Sequence, residues 1–336
     1  MAGLLDANGW PRRGEAGTRV VAFGGGHGLS ATLRALKHIT HQLTAVVTVA
    51  DDGGSSGRLR EEMDVLPPGD LRMALASLCD DSEWGLTWRD VMQHRFNTDG
   101  PLNDHALGNL LIVSLWQLLG DQVDGLDWIA RLLGAHGRVL PMAQTPLEIE
   151  ADVESPDGIT RVVRGQCAVA TAEGQTRAVR LNPADPPVAP EVLDAIAEAE
   201  WVVLGPGSWY TSVLPHLLVP KLHDALVSTK ARRALVLNLA EQEGETEMLS
   251  AGDHVRVLAQ HAPDFALDVV IAQPSTVDDI EDLENAAREV GARLLLRQVS
   301  IGGAQPLHDP LRLAAALRDA FDGFLGEVGR REAWLA

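Results

Sequence analysis

The chain has 336 residues, of which 46% are hydrophobic and 22% are charged, and its formal net charge is −19 at pH 7. These values are usual for a folded protein with a sizeable core, in one large or two ordinary domains. The negative charge argues against a protein that binds nucleic acid or anionic membranes non-specifically.

The two cysteines and the apolar runs indicate the cellular compartment. Cys79 and Cys167 lie far apart, each within an apolar run, so we expect buried, reduced thiols rather than a disulfide framework or a zinc site. The sequence shows no signal-peptide pattern and no stretch of transmembrane length. We therefore expect a cytoplasmic protein without membrane insertion, which begins with a flexible tail over residues 1–18.

Strand and helix patterns alternate after this tail. TRVVAF predicts a short buried strand, GGGHG a turn, and LSATLRALKHI an amphipathic helix with apolar residues at helical spacing. LTAVVTVA predicts a second strand that is buried on both faces, because it is almost continuously apolar. Such a strand, helix and strand form a parallel pair with a right-handed crossover. A helical region is expected from PPGDLR to about Gly137, with Asp70 as a candidate cap of its first helix.

The pattern changes in the middle of the chain. LEIEADVESPDGITRVVRG contains Ser-Pro-Asp-Gly between two alternating runs, which predicts a hairpin. We therefore expect residues 139–182 to form a small antiparallel insertion. Strands and helices then alternate again up to a final helix from about Pro310. The whole pattern predicts an α/β fold: a Rossmann-like, doubly wound and mainly parallel sheet in a single domain over residues 19–336.

Loops that follow strands are the places where a doubly wound sheet binds its ligand. The first such loop consists of Gly24, Gly25, Gly26, His27 and Gly28. Its glycines let the backbone approach a phosphate, and the following helix offers free N–H groups and a positive dipole end. Two registers of the glycine fingerprint compete, one starting at Gly24 and one at Gly26. A tight turn without a ligand is the alternative.

The second loop lies in VTVADDGGSSGRLREE and begins with two aspartates at a predicted strand end. Asp51 or Asp52 suits a ribose hydroxyl, a metal ion or a general-base role, and the sequence does not choose among these. An amide-lined anion nest is expected from Gly53, Gly54, Ser55, Ser56 and Gly57. Arg58 can pair with a phosphate or a carboxylate. An ordinary solvated loop is the alternative.

The third loop repeats the strand, glycine turn and helix in the second half of the chain. It consists of Gly205, Pro206, Gly207 and Ser208, and its hydroxyl donors are Ser208, Thr211 and Ser212. These hydroxyls lie near a predicted helix start, where they can meet phosphate oxygens. A capped turn explains the same pattern equally well.

Two further segments are weaker candidates. In PPGDLR, Asp70 and Arg72 can point at the same cleft as the three loops. Asn103, Asp104 and His105 precede a strongly apolar helix, and helix capping is their simplest explanation.

Six segments together resemble one family. They are GGGHGLSATLRALK, VTVADDGGSSGRLR, PPGDLR, LNDHALGNLLI, LGPGSWYTSVLPHLLV and NLAEQEGETEMLSAGDHV, in family order from about residue 19 to past 270. They resemble the YvcK-like gluconeogenesis factors of the CofD-like superfamily. The resemblance implies a Rossmann-like fold, self-association, and a nucleotide ligand, in particular a UDP-sugar such as UDP-N-acetylglucosamine. It also implies a role that links central carbon metabolism in gluconeogenic growth with cell-wall synthesis and cell shape in bacteria.

The resemblance implies a ligand-binding set of all three loops, Asp70, Arg72, Asn103 and Asp104, and it adds Asn109 and Tyr210. No cofactor is required in this interpretation, and regulators of cell-wall synthesis are the implied protein partners. The alternative is a CofD-like transferase that uses magnesium to move a phospholactate or phosphoenolpyruvate-derived group from a nucleotide carrier to a deazaflavin. Asp51, Asp52 and Asp104 are then the candidates for metal binding or proton removal.

The sequence departs from the family pattern at two positions. His27 replaces a small hydroxyl residue, and Met73 replaces an asparagine. Both departures place transferase activity in more doubt than the fold. A nicotinamide oxidoreductase, suggested by the glycine spacing and the carboxylate after the second strand, leaves the other two loops unexplained.

Overall fold

A computed structural model describes residues 17–155, 157–242, 246, 249–302 and 305–324 of the chain. Apart from residues 17 and 18, the predicted flexible tail lies outside the described residues. Within the described part, no helix is both long and apolar enough to cross a membrane.

Seven parallel strands form the central sheet, in the order β10-β9-β8-β7-β1-β2-β3. Their bounds are β1 Val20–Gly24, β2 Leu43–Val47, β3 Arg138–Pro141, β7 Trp201–Leu204, β8 Arg232–Val236, β9 Val269–Ala272 and β10 Arg293–Leu296. The strand order reverses beside β1. Strands β2 and β3 follow β1 toward one edge of the sheet, and strands β7 to β10 lie in succession toward the other edge. The predicted doubly wound parallel sheet is therefore confirmed, with its switch point between β1 and β7.

Helices cover both faces of this sheet, so the strands are buried and almost wholly apolar. The α-helices before the small sheet are α1 Gly26–Leu36, α2 Gly54–Met63, α3 Gly69–Ser77, α4 Glu83–Gln93, α5 Leu107–Leu119 and α6 Gln122–Leu133. Those within or after it are α7 Gln166–Ala170, α8 Pro190–Glu198, α9 Pro215–Leu218, α10 Pro220–Ser228, α11 Ala251–His261, α12 Ile280–Glu289 and α13 Pro310–Phe321. A π-helix at Trp209–Val213 and a 3₁₀ turn at Pro274–Thr276 complete the set.

A small antiparallel sheet forms the insertion. Its strands are β4 Glu148–Glu154, β5 Thr160–Arg164 and β6 Gln175–Asn182, in the order β5-β4-β6. The predicted hairpin is confirmed, but the predicted start of the insertion at residue 139 is wrong. The apolar β3 instead pairs in parallel with β2, because its side chains are buried in the main core.

Three local predictions near the loops are also corrected. Helix α1 begins at Gly26 and α2 at Gly54, so both glycine loops are shorter than predicted and end in helical turns. Asp70 is not the cap of α3, because Pro68 holds that position and Asp70 lies in the first turn. The segment after Ser208 is not one continuous helix, since it is divided into the π-helix, α9 and α10, and two of these begin at a proline.

Candidate functional site

The first and third glycine loops meet at the switch point of the sheet. A Cβ atom added to Gly28 would lie 2.1 Å from the carbonyl oxygen of Pro206 and 2.6 Å from the Cα of Gly207. The Thr32 hydroxyl of α1 donates to the carbonyl of Gly205 at 2.8 Å. The loops after β1 and β7 are therefore in direct contact at the carboxyl edge of the sheet, where doubly wound folds bind their ligands. We call this contact region the glycine crevice.

Asn238 holds the third loop in place. The N–H of Gly207 donates to Asn238 Oδ1 at 2.8 Å, and Asn238 Nδ2 donates to the carbonyl of Gly207 at 2.9 Å. This pair of bonds fixes the peptide orientation on both sides of Gly207. The sequence patterns did not single out Asn238. Asn238 could have been identified because it lies two residues after β8, at the same edge of the sheet as Gly207.

The hydroxyl groups that follow Gly207 serve different purposes. Ser208 caps the π-helix, and its Oγ accepts from the N–H of Thr211 at 3.2 Å. Ser212 is buried with its Oγ close to Gly25, so it faces the crevice. The Tyr210 hydroxyl donates to the carbonyl of Thr176 in β6 at 3.4 Å, which directs the tyrosine toward the insertion.

Asp70 occupies the amino end of α1. Its Oδ2 lies 2.5 Å from a Cβ added to Gly25, and its carboxylate accepts from the backbone N–H of Gly26. Burial and the nearby charge of Asp51 raise the Asp70 pKa to about 7, against the opposing effects of the Gly26 bond and Arg72. The positive end of α1, expected to meet a ligand phosphate, therefore already faces a carboxyl group of the chain itself.

The adjacent Asp51 and Asp52 point to different neighbours. Asp51 Oδ1 accepts from the N–H of Gly53 at 3.0 Å, and its Oδ2 lies 2.8 Å from a Cβ added to Gly69. Asp52 Oδ1 accepts from the N–H of Cys167 at 3.0 Å. Asp51 therefore faces the start of α3 beside the crevice, while Asp52 contacts the insertion. Cys167 was predicted to be buried but is exposed, because α7 lies on the surface against this loop.

A buried hydrogen-bond network lies beside these carboxylates. Arg72 Nε donates to Asn109 Oδ1 at 2.8 Å, and Asn109 Nδ2 donates to Ser55 Oγ at 3.0 Å. Ser55 Oγ also lies 3.1 Å from His105 Nδ1. All four side chains are buried. Burial lowers the His105 pKa, and the charge of Arg58 acts in the same direction.

Three predicted site residues have their contacts outside this network. Arg58 donates to the carbonyls of Pro101 and Asn103, which uses its guanidinium to hold the loop before α5. Asn103 and Asp104 are both exposed, and Asp104 forms an ion pair with Arg95 at 3.4 Å. Neither caps α5, whose capping position is Ala106 without a side-chain bond. The predicted capping role is therefore wrong.

The remaining loop residues include an exposed histidine and a buried serine. His27 is exposed in the first turn of α1. Ser56 is buried with its Oγ beside Gly69, next to Asp51.

Among the described residues, no group of three or more histidine, cysteine, aspartate or glutamate side chains is arranged to hold a metal ion. In the part of the chain that the structure describes, Asp51 and Asp70 are the carboxylates that would neighbour a magnesium ion, which fits Mg²⁺ when ligand phosphates and water complete its shell.

The geometry agrees with a comparison of the chain with known protein families. A family model described as 2-phospho-L-lactate transferase CofD matches residues 20–294, which include all three loops. The chain belongs to the CofD-like family. Within the family, the chain is 52% identical over 304 residues to the "Putative gluconeogenesis factor" of Mycobacterium tuberculosis, covering 89% of each chain. It is 40% identical over 261 residues to the gluconeogenesis factor of Bacillus subtilis, covering 78% of this chain and 80% of that one.

A solved structure supports the same conclusion for the fold of this CofD-like protein. A member of the UPF0052 family from Bacillus halodurans is 34% identical, with a TM-score of 0.80. The match covers 90% of this chain and 100% of that chain. The resemblance to gluconeogenesis factors that the six sequence segments indicated is thus confirmed.

Proposed function

We propose that the chain is a regulatory factor that binds a nucleotide sugar of the UDP-N-acetylglucosamine type in the glycine crevice. The observation that carries the proposal is the contact of two glycine loops at the β1/β7 switch point, with Gly207 fixed by Asn238. Such glycine turns at the carboxyl edge of the sheet would let the backbone approach a ligand pyrophosphate. The relatives named gluconeogenesis factors support a regulatory role in carbon metabolism rather than a known reaction.

The proposal extends to the biology of the nucleotide sugar. A factor that senses a cell-wall precursor would link gluconeogenic growth with cell-wall synthesis and cell shape. Its partners would be regulators of cell-wall synthesis, and it would act as a homo-oligomer. The net charge of −19 supports a protein partner rather than nucleic acid.

Calorimetric titration with UDP-N-acetylglucosamine tests the binding site. In the Gly207→Val variant, side-chain atoms would project toward Gly28 and Ser212, the residues nearest to the added Cβ. We expect the affinity of this folded variant to fall at least about tenfold. The control is Gly158→Val in the insertion, which shares a positive φ but has no atom within 4 Å of its added Cβ. Unchanged affinity in folded Gly207→Val, with binding intact in wild type, would remove this loop from the site.

A second candidate is a CofD-like transferase, which the family model over residues 20–294 favours. Asp51 and Asp70 are the carboxylates that would hold magnesium, and the ion would supply charge stabilisation for a transferring phosphoryl group. Mass spectrometry after incubation with a deazaflavin, magnesium and a guanine-nucleotide carrier of the phosphoenolpyruvate-derived group tests this function. A joined product that disappears in Asp51→Asn would support the transferase. No product under conditions where an active CofD forms one would exclude it for these substrates.

A further inference from the structure

Arg72 is a buried cation that forms no direct ion pair with a carboxylate of the described residues. The residue is only 4% exposed. Within the described part of the chain, no carboxylate lies within ion-pair distance of its guanidinium, and its single hydrogen bond is the Nε bond to Asn109. Buried charges in proteins are normally paired, because an isolated one is costly. The two terminal nitrogens of Arg72 therefore offer unused donors for an anion that the chain does not provide.

The groups around Arg72 favour the same kind of ligand. Asn109 lies in the first turns of α5, and Ser55, to which it donates, lies in the first turn of α2. Arg72 itself lies in the first turn of α3. A chain of side-chain hydrogen bonds therefore joins the first turns of α3, α5 and α2, and the start of a helix carries the positive end of its dipole. We call the surroundings of Arg72, Asn109 and Ser55 the arginine pocket.

The charges near the arginine pocket are of both signs, and an arginine is the largest charged influence at each end of the network. Burial lowers the Arg72 pKa to about 10, and the next largest cause is the charge of Arg95, ahead of the opposing Asp70 and Asp51. Arg58 is the leading charged influence on His105, at the other end of the network.

We infer that the arginine pocket binds a compact oxyanion, a carboxylate or phosphate group of a small metabolite, in addition to the nucleotide sugar. The inference rests on the proposed function for the glycine crevice and adds a second ligand to it. Arg72 would bind the oxyanion through both terminal nitrogens, a geometry that suits planar carboxylates and phosphates. Amide N–H groups at the starts of α2 and α5 would supply further donors.

The carboxylates on the crevice side argue that this anion is a separate ligand. Asp70 faces Gly25 and Gly26, and Asp51 lies against Gly69. Asp51 also raises the pKa of Asp70, which shows that the two groups repel each other. A diphosphate reaching from Gly207 to Arg72 would add its negative charge beside both carboxylates. A small anion held by Arg72 avoids this repulsion.

Thermal unfolding of the full chain, titrated with inorganic phosphate and then with acetate, tests the inference. Sodium chloride at equal ionic strength is the reference for non-specific salt effects. We expect one of the two probes to raise the melting temperature of the wild-type protein above this reference. The decisive variant is Asn109→Asp, which places the missing carboxylate at the Nε of Arg72 and keeps the side-chain shape. It should fold, because the carboxylate oxygen that replaces Nδ2 can accept from the Ser55 hydroxyl, and its affinity for the probe should fall at least about tenfold.

Two further variants complete the design. Arg72→Gln should lose the probe effect if it folds, while Arg34→Gln, which removes an exposed arginine of α1, should keep it. Equal stabilisation of wild type and Asn109→Asp, or no effect of either probe on wild type, would overturn the inference. Loss of the probe effect in saturating UDP-N-acetylglucosamine would also overturn it, since one ligand would then occupy both places. If Asn109→Asp abolishes the probe effect but no nucleotide sugar binds to the wild-type protein, the proposed function is wrong. The inference that the arginine pocket binds an oxyanion is then still supported.

Discussion

The carboxylate of Asp52 accepts a hydrogen bond from the backbone N–H of Cys167, 115 residues later in the chain, at 3.0 Å. The other oxygen of Asp52 lies 2.4 Å from a Cβ added to Gly165, so the loop after β2 and the start of α7 are in close contact. Asp51, the preceding residue, instead contacts Gly53 and Gly69 beside the crevice. The sequence did not distinguish the roles of these two neighbouring aspartates, but the structure shows that they contact different segments.

Asp52→Ala is predicted to loosen α7 without removing the ligand site. Because the variant loses the acceptor for the Cys167 N–H, hydrogen exchange in residues 166–170 should accelerate about tenfold, equivalent to about 1.4 kcal/mol of local stability. Hydrogen exchange followed by mass spectrometry measures this effect. The control is Asp51→Ala, which should leave exchange in α7 unchanged. Equal exchange in wild type and Asp52→Ala would show that the contact does not hold the insertion.

The sequence was informative wherever a pattern is local. Continuous apolar runs predicted β1 and β2, alternation around Ser-Pro-Asp-Gly predicted the hairpin, and glycine turns after strands marked the loops. These signals depend on residues near one another in the chain. They therefore predicted the doubly wound sheet and the β1 and β7 loops of the glycine crevice.

The sequence was uninformative wherever the cause is a contact between distant segments. Nothing local to Asp70 shows that it faces Gly26, because that contact depends on how α3 packs against α1. The bond between Asn238 and Gly207 likewise depends on the adjacency of β7 and β8. The contacts of Arg72 are likewise a property of the folded interior, and only the structure shows that its guanidinium donates to Asn109 and forms no ion pair with a described carboxylate.

Asp70 is predicted to make the protein less stable as the pH rises from about 4 to about 7. Its pKa is about 7 in the folded chain against an ordinary value of 3.8, so the folded state binds the proton more tightly than the unfolded state. Stability from this group is fully present below pH 4 and is lost as the pH rises through 7. One pKa unit corresponds to about 1.4 kcal/mol, so the loss is on the order of 1–4 kcal/mol.

Urea unfolding of wild type and Asp70→Asn at pH 5 and pH 8 measures this contribution. Asparagine stays neutral and keeps an oxygen that can accept from Gly26, so the variant should gain stability relative to wild type as the pH rises. Asp99→Asn, at an exposed position, provides the control and should show no such trend. A stability difference between Asp70→Asn and wild type that is the same at both pH values would contradict the prediction.

Ser250→Ala is predicted to destabilise the protein by about 1 kcal/mol, because it removes a capping box from α11. Ser250 Oγ accepts from the N–H of Asp253 at 3.0 Å, and Asp253 Oδ2 accepts from the N–H of Ser250 at 3.1 Å. The control is Ser114→Ala on the exposed face of α5, where the hydroxyl bonds only to the Leu110 carbonyl of its own helix. Urea unfolding compares the two variants, and equal stability changes would rule out a special role for the cap.

Gly28→Ala is predicted to destabilise the protein, although the same change in a free helix would stabilise it. Gly28 lies in the first turn of α1, where alanine has the better helix propensity by about 1 kcal/mol. The new Cβ would lie 2.1 Å from the carbonyl oxygen of Pro206, so the two glycine loops must move apart. Overpacking of this kind costs roughly 1–3 kcal/mol.

The measurement is urea unfolding of Gly28→Ala beside a control, Gly54→Ala at the start of α2. Gly54 has a φ of +47° and no atom within 4 Å of its added Cβ, so its variant has backbone strain without a collision. Separation of the loops should also weaken nucleotide-sugar binding in Gly28→Ala, because the crevice depends on their contact. A Gly28→Ala protein as stable as wild type would show that the two loops do not hold each other in the way the structure indicates.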